Sequence, residues 1–116
     1  MSHYTIYHNP RCSKSRQTLA LLEQNDIQPD IVLYMDNPLS PDQIKTLLKK
    51  LDIAPRDLLR KGEKAYKERN LKDTTLSDQA LLDAMHQEPR LIERPIVVSG
   101  ENAKLGRPPE SVLELL

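Results

Sequence analysis

The sequence predicts an α/β fold: a four-stranded mixed sheet laid down as a βαβ unit and then a ββα unit, with a helical insertion between the halves. Three observations carry this reading. Two β-favouring runs, Tyr4–Tyr7 and Ile31–Tyr34, flank a helical pattern within about thirty residues. Near the other end, Ile96–Val98 and Ala103–Leu105 flank a turn-forming Ser99-Gly100-Glu101-Asn102. Between these halves, from about residue 40 to residue 89, leucines recur at helical rather than strand spacing.

Each element has a local reason. Tyr4–Tyr7 is short and β-favouring, and His8-Asn9-Pro10-Arg11 breaks it. A helix is expected from Cys12 or Ser13, because Leu19, Leu21 and Leu22 follow a polar start and Asn25-Asp26 ends it. Ile31–Tyr34 is too short an apolar run for a helix and reads as a buried strand. A strand, helix and strand in that order predict parallel strands joined by a right-handed crossover. Ser40, Pro41 and Gln43 form a capping-box signature ahead of Ile44, Leu47, Leu48 and Leu51, which share one helical face. Pro55 opens a short helix that carries Leu58 and Leu59 and ends at Arg60. Lys61–Thr75 is polar and reads as short helix plus loop. Ser77 caps a helix holding Leu81, Leu82 and Met85, which Pro89 stops. After the hairpin, Pro108-Pro109-Glu110 starts a last helix, with Val112, Leu113 and Leu116 expected to face the core. Helices on both faces of such a sheet give a thioredoxin-like arrangement.

Composition narrows the function. At 116 residues the chain is one domain, able to bury enough surface to fold without staples. Seventeen basic residues balance seventeen acidic ones, so the excess of positive charge usual in nucleic-acid binders is missing. The longest apolar run is the five residues Ile31–Met35, far below the roughly 20 needed to span a bilayer. Met1-Ser2-His3-Tyr4 has no basic segment leading into an apolar one, so no secretory signal is expected. The lone cysteine, Cys12, rules out an internal disulfide and points to the cytosol. With no Trp or Phe, 19 leucines must supply the core. Three scattered histidines and one cysteine give no metal-ligand spacing.

Cys12 is placed where chemistry is expected. A cysteine opening a helix meets unpaired backbone N–H groups and the positive end of the helix dipole, both of which favour a thiolate. Ser15 stands one helical turn away and could donate its hydroxyl to the sulfur, while His8, Arg11, Lys14 and Arg16 add polar or positive groups. Free cysteines are most often small buried hydrophobes, but these polar neighbours make a poor apolar pocket. The arginine required six residues after a tyrosine-phosphatase cysteine is replaced by Thr18, and Ser15 occupies the second position of a Cys-x-x-Cys pair. Any redox cycle must therefore take its second thiol from another molecule. Arg60 ends a short helix, Arg94 precedes Pro95, and Arg107 precedes Pro108-Pro109; these three could grip an oxyanion, with Arg69 and Arg90 nearly as eligible.

The stretch Ile6–Arg16 (Ile-Tyr-His-Asn-Pro-Arg-Cys-Ser-Lys-Ser-Arg), with Glu93-Arg94-Pro95-Ile96 and Gly106-Arg107-Pro108-Pro109-Glu110, resembles the ArsC family of glutaredoxin-linked arsenate reductases, near its YfgD-like branch. The resemblance runs nearly end to end. It implies a thioredoxin-like fold with a helical insertion and a cis Arg94–Pro95 bond. It implies reduction of arsenate to arsenite, with glutathione as co-substrate, glutaredoxin as thiol source and no bound cofactor or metal. By motif, Cys12 is the nucleophile, His8 and Ser15 favour its thiolate, and Arg60, Arg94 and Arg107 hold arsenate. A cytoplasmic monomer with no nucleic-acid or membrane partner is expected. Two other readings share the scaffold: an Spx-like transcriptional regulator, whose usual Cys-x-x-Cys switch Ser15 removes, and a glutathione-dependent thiol enzyme acting on another substrate.

Overall fold

The computed structural model describes residues 3–116. Met1 and Ser2, on which the signal-peptide expectation partly rests, lie outside the described residues. The chain forms two compact units, one holding residues 3–37 with Arg94–Leu116 and the other Pro38–Glu93.

The first unit is built on a four-stranded sheet of order β2-β1-β3-β4, with β1 at Tyr4–Tyr7, β2 at Asp30–Val32, β3 at Ile96–Ser99 and β4 at Asn102–Leu105. β1 and β2 are parallel, while β1–β3 and β3–β4 are antiparallel, as βαβ followed by a hairpin requires. The hairpin turns through Gly100-Glu101, and Gly100 takes φ 60°, which costs glycine no steric clash. Helix α1, Ser13–Gln24, is the crossover. Ile6, Leu22, Val97 and Val112 have no exposed surface and form the centre of the core, with Leu19, Ile27 and Leu115 packed around them.

Two expectations are corrected here. The strand read as Ile31–Tyr34 pairs only through Asp30–Val32, and Ile31 is half exposed. β2 is an edge strand, so it gains cover from one neighbour only. Leu33 then starts a turn, accepting from the Asp36 and Asn37 N–H groups, and of that apolar run Tyr34 alone is fully buried. The last helix is a 3-10 helix, Pro109–Leu115, with three residues per turn. Its inner row is therefore Pro109, Val112 and Leu115, while Leu113 and Leu116 face water. Within this unit α1 and the 3-10 helix lie on the same sheet face, the one carrying the paired Ile6 and Val97, because the hairpin returns the chain without crossing the sheet.

The second unit is helical. In α2, Pro41–Leu51, the Ser40 hydroxyl accepts from the Gln43 N–H and the Gln43 side chain accepts from the Ser40 N–H, closing the expected capping box. A 3-10 turn at Pro55–Leu58 follows, then α3 at Lys64–Glu68, α4 at Asp78–Gln87 under a Ser77 cap, and a 3-10 turn at Pro89–Leu91. Ile44, Leu47, Leu48, Leu58, Leu81, Leu82, Met85 and Leu91 are buried. The Arg56 guanidinium donates to the Leu71 and Asp73 carbonyls at 2.6 and 2.9 Å, fixing part of a stretch that carries no apolar pattern of its own. Leu59 bridges Ile92, and the Arg60 N–H donates to the Leu91 carbonyl at 2.7 Å. Among the described residues no helix is long and apolar enough to cross a membrane.

Candidate active site

Cys12 is the N-cap residue of α1. Its own backbone is fixed on both sides: the Cys12 N–H donates to the Asn9 carbonyl, and the Cys12 carbonyl accepts from the Arg16 N–H, both at 3.0 Å. The preceding turn is held by the Asn9 side chain, whose Oδ1 accepts from the Arg11 N–H at 3.0 Å, and by Arg16, which donates to the Pro10 carbonyl at 2.7 Å. Asparagine and proline thus fold the loop locally, and α1 begins where it ends.

Partial burial pushes the Cys12 thiol up, but the groups around it win and its pKa lies below the ordinary thiol value. They are the Ser15 N–H, the Arg94 side chain, the Lys14 N–H and the positive charge of Arg94. No side-chain capping bond closes on the sulfur. These donors gain strength as partners when the sulfur ionises, because a hydrogen bond to a charged acceptor is stronger than one to a neutral one. No acidic residue stands in the first turn of α1 to compete for these amides.

The sequence expectation placed the Ser15 hydroxyl on the sulfur; the structure places it elsewhere. Ser15 is fully buried, and its Oγ lies 2.6 Å from His8 Nδ1 and accepts from the Asn9 N–H at 3.1 Å. Its help to the thiolate comes through its backbone amide. His8 is buried too, and burial first, then the charge of Arg16, lower its pKa below that of an exposed imidazole. A neutral His8 orders the loop through Ser15 and is not a cation beside the sulfur.

The arginines separate. Arg94 reaches Cys12 directly, and after the opposing cost of burial its pKa is raised by Cys12 and by Tyr34. Arg107 is exposed, and its Nε–H donates to the Arg94 carbonyl at 3.0 Å, so the two proline-flanked arginines are joined. Both Arg94–Pro95 and Arg107–Pro108 are cis. Arg60 belongs to the helical unit and pairs with Glu63 at 3.2 Å. Arg69 and Arg90 both pair with Glu88. A cavity of about 420 Å³ in the helical unit is lined by Lys61, Tyr66, Lys67, Asn70 and Lys72, with no thiol and none of the expected site residues among them. No cluster of three or more metal-ligating side chains occurs among the described residues. Sequence reasoning missed Tyr34, which it took for an ordinary strand residue; a buried tyrosine, whose hydroxyl needs a polar neighbour, was the available signal.

Residues 7–115 match the model of the ArsC family. The chain belongs to the ArsC family. It is 52% identical over 112 residues to the uncharacterized protein YfgD of Escherichia coli K12, covering 96% of this chain and 94% of that protein. It is 50% identical to an arsenate reductase of Haemophilus influenzae, covering 96% of this chain and 97% of that protein. Among solved structures, an arsenate reductase from Vibrio cholerae superimposes with a TM-score of 0.97 at 50% identity, covering 99% of this chain and 98% of that one. The family's thioredoxin-like sheet and the architecture described above therefore agree over the whole length.

Proposed function

We propose that this chain reduces arsenate to arsenite, with glutathione as co-substrate and glutaredoxin as the second thiol source. The observation that carries the reading is a Cys12 sulfur favoured as a thiolate at the α1 N-cap, beside the Arg94 guanidinium. Arsenate reductases of matching length and architecture support it.

In this scheme Arg94 and Arg107 hold arsenate oxygens through charge-assisted hydrogen bonds and stabilise the charge that develops on them. Arg60 is the third proposed arsenate ligand, carried over from the family resemblance alone, since the helical stretch around it holds no tight motif. The Cys12 thiolate attacks arsenic, an As–S bond forms, and one oxygen leaves as water. Glutathione displaces a second oxygen as water. The glutaredoxin thiol then attacks the glutathione sulfur; an S–S bond forms, the As–S bond to glutathione breaks, and its electron pair stays on arsenic, now As(III). Water releases arsenite and restores Cys12. Overall, arsenate and two thiols give arsenite, one disulfide and one water. The electrons come from thiols, so the scheme uses no prosthetic group. His8 and Ser15 serve it by holding the loop, and the chain works as a single cytoplasmic domain and a monomer.

The test is a coupled assay containing arsenate, glutathione, glutaredoxin, glutathione reductase and NADPH. NADPH oxidation that depends on arsenate and disappears in Cys12→Ser is the expected result. Arg94→Ala, Arg107→Ala and Arg60→Ala should each raise KM for arsenate. A wild-type chain that oxidises no NADPH under these conditions removes the reading.

A further inference from the structure

We propose that Tyr34 is a positioning residue whose buried phenol holds the Arg94 guanidinium against the Cys12 sulfur. The strand register brings these residues together. Tyr7, the last residue of β1, pairs with Val32 on one side and Ile96 on the other. Two residues beyond that row stand Asn9 in the Cys12 loop, Tyr34 after β2, and Arg94 before β3. One end of the sheet therefore gathers the nucleophile's loop between a tyrosine and an arginine.

Tyr34 is 1% exposed, and its hydroxyl oxygen is shut off from water. Apolar packing alone would be served as well by phenylalanine or leucine, without the cost of burying a hydroxyl. Its polar neighbour is Arg94, whose side chain contacts both the phenol and the sulfur. A guanidinium has five N–H donors on one plane and can serve both at once. The phenol oxygen and the Arg94 Nε are both buried, so their contact lies out of reach of competing water. An arginine gripped at one edge of its plane has few rotamers left. Its other donors then stay aimed at the sulfur without reorganisation when the reaction begins. The phenol faces the guanidinium and not the reacting sulfur, so Tyr34 works through Arg94 and is not itself catalytic.

The role rests on the reading of Cys12 as the nucleophile, and its test does not need arsenate. The pH dependence of Cys12 alkylation by iodoacetamide is measured for wild type, Tyr34→Phe, Arg94→Ala and the double variant of the full chain. Tyr34→Phe should move the alkylation midpoint to higher pH and should move it no further once Arg94 is alanine. Where the coupled assay is active, kcat/KM for arsenate should fall about tenfold, with the thermal midpoint nearly unchanged. An unmoved alkylation midpoint in Tyr34→Phe, or an equal shift in the Arg94→Ala background, overturns the role. Should Tyr34→Phe fail to fold, nuclear Overhauser contacts in the wild-type chain decide: a contact between the Tyr34 ring and the Arg94 guanidinium protons supports the hold, and its absence refutes it. A wild-type chain without arsenate turnover would remove the proposed substrate, while the alkylation result would still judge Tyr34.

Discussion

Gly106→Ala should destabilise the sheet unit through contact with two neighbours that cannot retreat. A Cβ at position 106 would lie 2.5 Å from Thr18 Oγ1, 2.7 Å from Pro95 Cγ and 3.1 Å from Pro95 Cδ. Comfortable carbon contacts are about 3.5–4.0 Å, so the new methyl overlaps both residues by up to roughly an ångström. Thr18 is fully buried in α1, and its hydroxyl donates to the Lys14 carbonyl at 2.8 Å. Pro95 is a buried ring, and its carbonyl accepts from the Gly106 N–H at 2.9 Å. The Gly106 φ is not in the left-handed region, so the effect is steric alone. Overpacking of this kind costs about 1–3 kcal/mol. For a chain of this size each kcal/mol moves Tm by roughly 3–6 °C, so the melting temperature should fall by about 3–18 °C. Circular dichroism melts of wild type, Gly106→Ala, Thr18→Ala and the double variant test this. Thr18→Ala relieves the clash with Oγ1 but not the one with Pro95, so the double variant should lose less than the two single variants lose together, the remainder being due to Pro95 and to the emptied Thr18 site. A Gly106→Ala melt within about 1 °C of wild type would refute the packing reasoning. Pro95 follows Arg94 directly, so the same variant should also raise the pH midpoint of Cys12 alkylation.

Ser15→Ala leaves the Asn9 N–H and His8 Nδ1 without their buried partner, which should lower stability by about 1–3 kcal/mol in urea titration. Because the Ser15 amide survives, its alkylation midpoint should move less than that of Arg94→Ala; a larger shift would show that the hydroxyl, and not the backbone, faces the sulfur. The pKa of His8 is lowered, by burial and then by Arg16, so below about pH 6.5 the unfolded chain takes up a proton that the folded chain refuses until lower pH. The stability from a neutral His8 is thus complete above that pH and lost as pH falls toward the folded pKa. His8→Gln should flatten this part of the urea-midpoint profile between pH 8 and 5, and an unaltered slope would contradict it. Ser40→Ala opens the α2 capping box and should cost about 1 kcal/mol, read as a shift in urea midpoint at constant m-value.

Much of the fold was legible because its signals are local. Ser40-Pro41-Asp42-Gln43 carries its own cap, Gly100 carries its own turn, and Cys12 opens α1 because Asn9 and Pro10 fold the loop before it. The misreadings came where the pattern allowed two answers. Leu113 and Leu116 fit an α-helical face, but the segment winds as a 3-10 helix that selects Val112 and Leu115. Ile31 looked buried because a run of apolar residues does not say which strand ends at the sheet edge.

The sequence by itself determined the order of elements, the position of the single thiol at the mouth of a helix, and the absence of a second thiol in the chain. Those depend on neighbours a few residues apart. Only the tertiary structure decided that the Ser15 hydroxyl turns to His8 while its amide faces Cys12, and that Tyr34 and Arg94, 60 positions apart in the chain, meet beside the sulfur. Strand register sets those contacts, and register is fixed by how whole strands pair across the sheet, which no short stretch of sequence contains.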